Sequence, residues 1–446
     1  MQRREFLQSI LAGSTMIAAV EQKTTEITNP IPIVADETIV YESPDPATVY
    51  AYSPGLAILP NGRLVATMDQ GGPGTLTRDD IPRIDGRVWR GRIYTSDDHG
   101  KTWQFRGKMP LEHARPFVAG DTMYVLGHDN DLGVMKSADG GTTWTGPYWL
   151  TKGETWHQAP CNVWYTRGRI YLVMEKVTKP DFPHWPVAVL APVLMSADVH
   201  ADLALRENWT FSNEYSYKNA IEEAGKPNLI GVPFFTPGYT TPESEKNPRP
   251  MSPPGWLETN VVQFYDPNHV WYDDTGRTFY LWMRAHTGST NLAAIAKAVE
   301  SEDGKLTVTL ARAPSGEPML YVPCPGGQMK FHILYDDVTK LFWLLSSQAT
   351  DSMTRPDRLP ENRYNLPNNE RHRLVLHFSK NCMDWCFAGR IADTGEYGQG
   401  RHYASMVIDN DDLHVLSRSG DSRAKSAHDG NLITFHTVRK FRNLVY

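Results

Sequence analysis

Hydrophobic and polar residues alternate over short distances in this chain, and one arrangement recurs. Six times, a turn rich in Gly, Asn or Asp leads into a short β-prone run. The six stretches are PNGRLVATMD (60–69), AGDTMYVLG (119–127), TRGRIYLVME (166–175), DDTGRTFYLWM (273–283), DDVTKLFWLLSS (336–347) and DNDDLHVLSRS (409–419). Each has the pattern of a hairpin turn followed by a strand with at least one buried face. The pattern predicts an all-β chain.

The spacing of these stretches predicts a repeated unit. The equivalent turn residues are Gly62, Asp121, Gly168, Gly276, Lys340 and Asp412. Their intervals are 59, 47, 108, 64 and 72 residues, and we interpret the interval of 108 as two units with a missing turn near 187–198. The mean period is then about 58 residues, which suits a four-stranded antiparallel blade. We predict a single β-propeller over residues 31–446, with seven blades and six as the alternative.

A second repeat, Ser-x-Asp-x-Gly-x-Thr-Trp, occurs at residues 96–103 and 137–144. In a turn, Ser and Asp side chains bond backbone N–H groups, Gly accepts a positive φ, and Trp packs against a neighbour. Both copies resemble the Asp-box of sialidase-like propellers, and degenerate copies occur at 196–209 and 379–385. The resemblance implies a structural role at the outer edge of a blade, so Asp98, His99 and Asp139 are not expected to be catalytic.

The N-terminus carries an apparent targeting pattern. In MQRREFLQSILAGSTMIAAVEQ, Arg3-Arg4 precedes Phe6-Leu7 and a modest apolar stretch. This resembles the twin-arginine export signal of bacteria, with an amphipathic first helix as the alternative. We expect residues 1–30 to be a removed signal and the mature protein to be periplasmic or secreted.

Composition narrows the possible partners. The formal net charge is −6 and no basic stripe is present, so nucleic acid is not an expected partner. No run of 18 apolar residues occurs, so no membrane span is expected. The four cysteines, Cys161, Cys324, Cys382 and Cys386, are too scattered for a disulfide framework, although a Cys382–Cys386 bridge is an alternative to free thiols.

Polar residues beside aromatics concentrate in other stretches and supply the candidate site. The candidate catalytic residues are His113, His128, His157 and Tyr403. The candidate substrate-binding residues are Arg115, Glu175, Glu258, Asn260, Arg284, Lys330 and Arg401. His and Tyr can move protons near working pH, and Arg or Lys can neutralise a carboxylate through charge-assisted hydrogen bonds.

Four segments carry a wider resemblance, which covers the chain from about residue 45. They are HQAPCNVWYTRGRIYLVME (157–175), WLETNVV (256–262), PGGQMKFHILYD (325–336) and AHDGNLITFHTVRKFRN (427–443). Here the chain resembles the sialidase-like propeller superfamily, in a branch related to seven-bladed polysaccharide lyases and rhamnose-releasing enzymes. The resemblance implies an exported enzyme that cleaves uronate- and rhamnose-containing acidic polysaccharide, such as ulvan or arabinogalactan side chains, by β-elimination.

Other functions fit the same residues. A glycoside hydrolase would need two carboxylates, or a Tyr–Glu pair with an acid, and Glu154, Glu175 and Glu258 are available. A sialidase proper is less favoured, since it needs an arginine triad and an Arg-Ile-Pro segment, whereas 81–87 reads IPRIDGR. A non-catalytic glycan-binding propeller is the third alternative. No cofactor is expected, because no ligand spacing typical of zinc occurs. Structural calcium or zinc stays an open alternative.

Overall fold

The computed structural model describes residues 33–34, 37–183, 185–225, 254–350 and 369–446. The predicted export signal at 1–30 lies outside these residues. Among the described residues, no helix is long and apolar enough to cross a membrane.

Short strands make up most of the described chain. In chain order they are β1 (Glu37–Glu42), β2 (Tyr50–Ile58), β3 (Leu64–Gly71), β4 (Arg83–Ile84), β5 (Arg87–Val88), β6 (Gly91–Ser96), β7 (Gln104–Met109), β8 (Glu112–Ala119), β9 (Thr122–Asp129), β10 (Asp131–Ser137), β11 (Thr145–Trp149), β12 (Trp156–His157), β13 (Trp164–Thr166), β14 (Arg169–Val177), β15 (Leu190–Asp198), β16 (Thr210–Phe211), β17 (Gly255–Val262), β18 (Thr278–His286), β19 (Leu292–Glu300), β20 (Leu306–Arg312), β21 (Pro318–Met319), β22 (Tyr321–Pro323), β23 (His332–Asp336), β24 (Leu341–Ser347), β25 (Arg373–Ser379), β26 (Cys386–Asp393), β27 (Arg401–Asp409), β28 (Asp412–Ser419) and β29 (Leu432–Val438).

Helical elements are few and short. The α-helix α1 spans Tyr217–Ala224 and begins with a capping box, in which Ser216 and Asn219 bond each other's backbone N–H groups. The 3₁₀ helices are Pro73–Leu76, Pro186–Val189, Arg206–Asn208 and Phe441–Leu444.

Within the described residues, β4 and β5 pair only with each other, and the other strands form six antiparallel sheets, each one blade of a β-propeller. Blade 1 is β2-β3-β6-β7, blade 2 is β8-β9-β10-β11, and blade 3 is β14-β15-β16 with β12 and β13 sharing the inner position. Blade 4 is β17-β18-β19-β20, extended by β21 and β22, and blade 5 is β23-β24-β25-β26. Blade 6 combines β27-β28-β29 with β1, so the first of the described strands closes the ring.

The favoured prediction of seven blades is wrong, and the alternative of six is confirmed. Each recurring turn lies between the first and second strands of one blade, so the six turns already count all the blades. The segment 187–198, where a missing turn was expected, contains β15, the third strand of blade 3. The interval of 108 residues is long because α1 and the rest of residues 212–254 follow that blade.

The Asp-box turns lie between the third and fourth strands of blades 1 and 2. In the first, Ser96 accepts the Gly100 N–H (2.9 Å) and Asp98 accepts the Thr102 N–H (2.9 Å). The hydroxyl of Thr102 lowers the pKa of Asp98 to about 2. Gly100 has φ 84°, and a Cβ there would overlap the ring of Phe435 in blade 6. These contacts leave both Asp-boxes in the structural role that was predicted for them.

The hydrophobic core lies between neighbouring blades. One cluster joins Leu64 and Ala66 of blade 1 to Leu416 and Ile433 of blade 6, and similar clusters fill the other blade contacts. Because each blade buries both faces, the second strands read as nearly continuous apolar runs, as in β14. The four cysteines are free thiols in the structure.

Candidate active site

The two faces of the propeller differ in chemistry. The ends of the innermost strands, among them Ile58, Val118 and Asp409, line a cavity of about 940 Å³ on one face. The beginnings of the same strands meet on the opposite face. His113, His157, Glu258 and Tyr403 all lie at strand beginnings, so the sequence-predicted residues converge there.

Four innermost strands carry an irregularity at corresponding positions. The pairing register shifts near the start of β2, β8, β17 and β27. At each shift one non-glycine residue has a left-handed backbone: Ser53 (φ 46°), His113 (φ 51°), Glu258 (φ 61°) and Tyr403 (φ 55°). Such bulges cost energy and redirect side chains, and they concentrate at functional sites. The backbone thus singles out this face as the candidate site.

Tyr403 lies at the centre of a charged group that we call the tyrosine cluster, made of Tyr403, Glu258, Arg284, Arg371 and Arg418. The Tyr403 hydroxyl donates a short hydrogen bond to Glu258 Oε1. Arg284 Nη1 donates to the same hydroxyl (3.0 Å) and lies 3.4 Å from Glu258 Oε2. Burial, reinforced by the Glu258 charge, raises the pKa of Tyr403, so the free site holds a neutral phenol.

Two further arginines approach the ring of Tyr403. The guanidinium carbons of Arg371 and Arg418 lie 5.8 and 5.3 Å from its centroid. Burial, together with the charges of Arg418 and Arg284, lowers the pKa of Arg371 to about 9. All three arginines are nearly buried, at 3 to 6% exposure. The cluster holds three arginines and one carboxylate, so it favours an anion in its centre.

Arg371 is oriented by His402, which is fully buried. His402 Nε2 lies 2.8 Å from the Ala427 carbonyl, so that nitrogen carries the proton and donates. The other ring nitrogen, Nδ1, therefore accepts from Arg371 Nη1 at 3.1 Å. His402 is therefore a positioning residue for Arg371.

Three histidines form a second group, the histidine cluster, made of His113, His128 and His157. His113 Nδ1 lies 2.9 Å from His128 Nε2, and the rings of His113 and His157 are 5.1 Å apart. Burial lowers the pKa of His128 to about 3 and that of His113 well below its usual range. Both are therefore neutral at pH 7, and they offer hydrogen bonds rather than charge.

Glu175 connects the two clusters. It lies 3.4 Å from His157 Nδ1 and accepts two hydrogen bonds from Thr259, the neighbour of Glu258. Glu175 is fully buried, and burial raises its pKa. It acts as an anchor for both clusters.

Asp69 is a functional candidate that sequence reasoning missed. It lies near the end of β3, is 3% exposed, and accepts the backbone N–H of His113 (3.1 Å). Burial, and then the neighbouring Glu112 charge, raise the pKa of Asp69 to about 7. A carboxylic acid that keeps its proton near neutral pH is suited to general acid catalysis.

Four sequence-predicted residues lie away from these clusters. Arg115 donates to the Val173 carbonyl (3.0 Å) and lines the cavity on the opposite face. Asn260 bonds backbone groups of Phe331 and Ile333, and Lys330 donates to Ala404 and Ser405. Arg401 pairs with Glu37 and donates to two carbonyls. The structure thus places Asn260 and Lys330 in contacts between blades and Arg401 at the ring closure, and their substrate-binding role stays a prediction.

Sequence reasoning also left Arg371 and Arg418 out of the site. Arg371 follows residues 351–368, and its link to Tyr403 is visible only once blades 5 and 6 are adjacent. Arg418 stands in the recurring DNDDLHVLSRS stretch, which was interpreted as scaffold. The sequence does contain one indication of this site. An arginine within an otherwise apolar strand is rarely buried unless it has a partner, so its charge indicates a possible site.

No protein-family model matches the sequence, and no curated protein matches it. Solved structures do share the fold. A Dyadobacter fermentans protein of unknown function has a TM-score of 0.51 at 13% identity, over 91% of this chain and 98% of that one. A Hadza microbial sialidase also has a TM-score of 0.51, at 15% identity over 90% and 68% of the two chains.

A mutant of Trypanosoma rangeli sialidase that displays trans-sialidase activity has a TM-score of 0.50 at 11% identity. This chain is covered to 93% and spans 61% of the length of that one. These likenesses show that the chain shares the propeller fold of these structures. They leave the ulvan and rhamnose branch as an expectation from the sequence.

Proposed function

We propose that this chain is a glycoside hydrolase that releases an acidic sugar through a covalent intermediate on Tyr403. The observation that carries the proposal is the Tyr403 hydroxyl, bonded to Glu258 and Arg284 and flanked by two more buried arginines. The arginines would bind the substrate carboxylate through charge-assisted hydrogen bonds. Trp185, 38% exposed and 5.6 Å from the Arg284 guanidinium, offers an apolar face to a sugar ring.

A phenol suits an acidic sugar as the nucleophile. A carboxylate nucleophile would repel the substrate carboxylate, whereas a neutral tyrosine does not. In the first step, the Tyr403 oxygen bonds to the anomeric carbon while its proton passes to Glu258. The bond from the anomeric carbon to the leaving oxygen breaks, and Asp69 gives that oxygen its proton.

The second step reverses the proton movements. Water attacks the anomeric carbon and gives a proton to the Asp69 carboxylate. The bond between the sugar and Tyr403 breaks, and the phenol oxygen takes its proton back from Glu258. Two displacements at one carbon predict that the product keeps the configuration of the substrate.

The position of Asp69, the proposed acid, indicates where the leaving group would bind. Because Asp69 accepts the N–H of His113, the leaving sugar would lie over the histidine cluster. The His157 side chain is 23% exposed. Neutral imidazoles there would bond hydroxyl groups, so we assign the histidines to leaving-group binding.

β-Elimination is the second candidate, and the histidine cluster favours it. Two neutral histidines beside buried arginines are also the groups needed to remove a C5 proton and neutralise a uronate. The proposed hydrolase explains the Tyr403–Glu258 pair, which an elimination would not require. The substrate of either reaction would be an acidic glycan.

The test uses aryl glycosides of an ulosonic acid, of glucuronic acid and of neutral arabinose, with ulvan as a polymer. We expect the aryl group to be released from one acidic glycoside and a fluorinated analogue to leave a mass adduct on Tyr403. The Tyr403→Phe variant should lack the adduct. Ulvan cleavage with new ultraviolet absorbance and no adduct would overturn the hydrolase in favour of the lyase. Binding of acidic glycans without turnover would favour a lectin-like propeller.

We also propose export to the periplasm or the medium, supported by Arg3-Arg4 and the apolar residues that follow. Cell fractionation tests it. The Arg3→Lys, Arg4→Lys double variant should stay in the cytoplasm, and unchanged export of that variant would contradict the proposal.

A further inference from the structure

A group of metal-ligand type lies where the first and last blades meet, away from the proposed active site. We call it the closure triad: His99 of the first Asp-box turn, with Asp409 and His414 of blade 6. One potential ligand atom from each residue lies within 4.8 Å of the others. His99 is 310 positions from Asp409 in the sequence, so only ring closure brings the triad together.

The distances suit a single ion. Asp409 Oδ2 lies 2.7 Å from His99 Nδ1 and 3.1 Å from His414 Nε2. Ligand bonds of about 2.0–2.1 Å in a tetrahedral site place ligand atoms roughly 3.3 Å apart, so small side-chain movements would suffice.

Asp409 and His414, the two potential ligands from blade 6, are also oriented by hydrogen bonds to neighbouring residues. Asp409 Oδ1 accepts from Asn410 Nδ2 (2.9 Å), and His414 Nδ1 lies 3.1 Å from Thr437 Oγ1. Supporting bonds of this kind orient metal ligands and select the tautomer that leaves the other nitrogen free. His414 and Asp409 are largely buried, at 1% and 9% exposure, whereas the His99 side chain is 62% exposed. The triad is therefore open to solvent on the side of His99.

From these contacts we propose that the closure triad binds a zinc-class divalent ion that links blade 1 to blade 6. Two imidazoles and one carboxylate suit Zn²⁺, Co²⁺ or Ni²⁺, and they do not suit Ca²⁺ or Mg²⁺, which prefer oxygen ligands. The ion would stabilise the closed ring, since it binds residues that ring opening separates. The proposal does not depend on the proposed hydrolase, because none of these residues belongs to the tyrosine or histidine cluster.

The test is calorimetric titration of the tag-free, chelator-treated full chain with Zn²⁺. We expect one ion per chain and a rise in Tm that saturates with the ion, with no effect of Ca²⁺. His99→Asn should weaken Zn²⁺ binding by about tenfold or more and abolish the Tm rise. The metal-free Tm should change little, because His99 is exposed.

The matched control is His200→Asn. His200 is an exposed histidine in the corresponding turn of blade 3, outside the triad. This variant should bind Zn²⁺ as the wild type does. Bound Co²⁺ should give a visible spectrum that disappears in His99→Asn and persists in His200→Asn. No Zn²⁺ binding by the wild type, or equal binding by His99→Asn, would show that the triad is only a hydrogen-bonded contact.

Discussion

Replacing Asp69 by Asn tests whether Asp69 is the general acid. The test measures both the stability and the activity of the variant. Asn keeps the shape of the side chain and an oxygen for the His113 N–H, but it cannot carry charge. The raised pKa of Asp69, about 7 against an ordinary 3.8, corresponds to about 4 kcal/mol against the ionised form in the folded protein. The pKa of Asp69 is higher in the folded protein than in the unfolded chain. Wild-type stability should therefore fall as the pH rises from about 4 to about 7.

The Asp69→Asn variant lacks this dependence on pH. Urea unfolding at pH values from about 4 to 8 should show that the stability of Asp69→Asn relative to wild type rises with pH up to about pH 7, by up to about 4 kcal/mol. The exposed Asp79→Asn is the control and should show no such trend.

Activity should change in the opposite direction. Loss of the acid should lower kcat/KM by about 10²–10⁴-fold for a sugar leaving group and much less for an activated aryl group. In the wild type, kcat/KM should decline above about pH 7 as Asp69 ionises. An equal loss for both leaving groups, or a relative stability that does not change with pH, would refute the assignment of Asp69 as the acid.

The remaining predictions concern the nucleophile, the anion site and a turn. Tyr403→Phe should lower kcat by at least about 10³-fold with little change in Tm, as measured on the acidic aryl glycoside. Arg371→Met should cost about 2 kcal/mol or more in kcat/KM for that glycoside, and an unchanged value would remove Arg371 from the anion site. Gly100→Ala should destabilise the fold by about 1–3 kcal/mol in urea unfolding, because its Cβ meets Phe435 at a positive φ. Gly153→Ala, also at a positive φ (74°) but with open space around it, should cost less.

The repeat pattern was sufficient to predict the propeller and insufficient to count its blades. Turn chemistry is local, so the hairpins and Asp-boxes could be read from neighbouring residues. The long interval after Gly168 was ambiguous, because an insertion and an extra blade add similar lengths of chain.

The site was predicted only in part, because the contacts within it are not local in sequence. Glu258 and Tyr403 stood out as polar residues among aromatics, but their pairing depends on bulges that no local pattern announces. Arg401 and Lys330 looked similar in sequence, yet one closes the ring and the other bonds a neighbouring blade. Only the register of each innermost strand decides which side of the blade a charged group faces.

The placement of β1 in blade 6 has a consequence for biosynthesis. Of the described strands, β1 leaves the ribosome first and its partner β29 (Leu432–Val438) leaves last. During translation, blades 1 to 5 can form in order, while the edge that β1 must join does not yet exist. The nascent chain therefore carries the unpaired strand β1 until β29 has been made, and an unpaired strand can pair with other chains. Completion of the ring should be the late, rate-limiting event in folding, and any machinery that accepts only folded protein would have to wait for it.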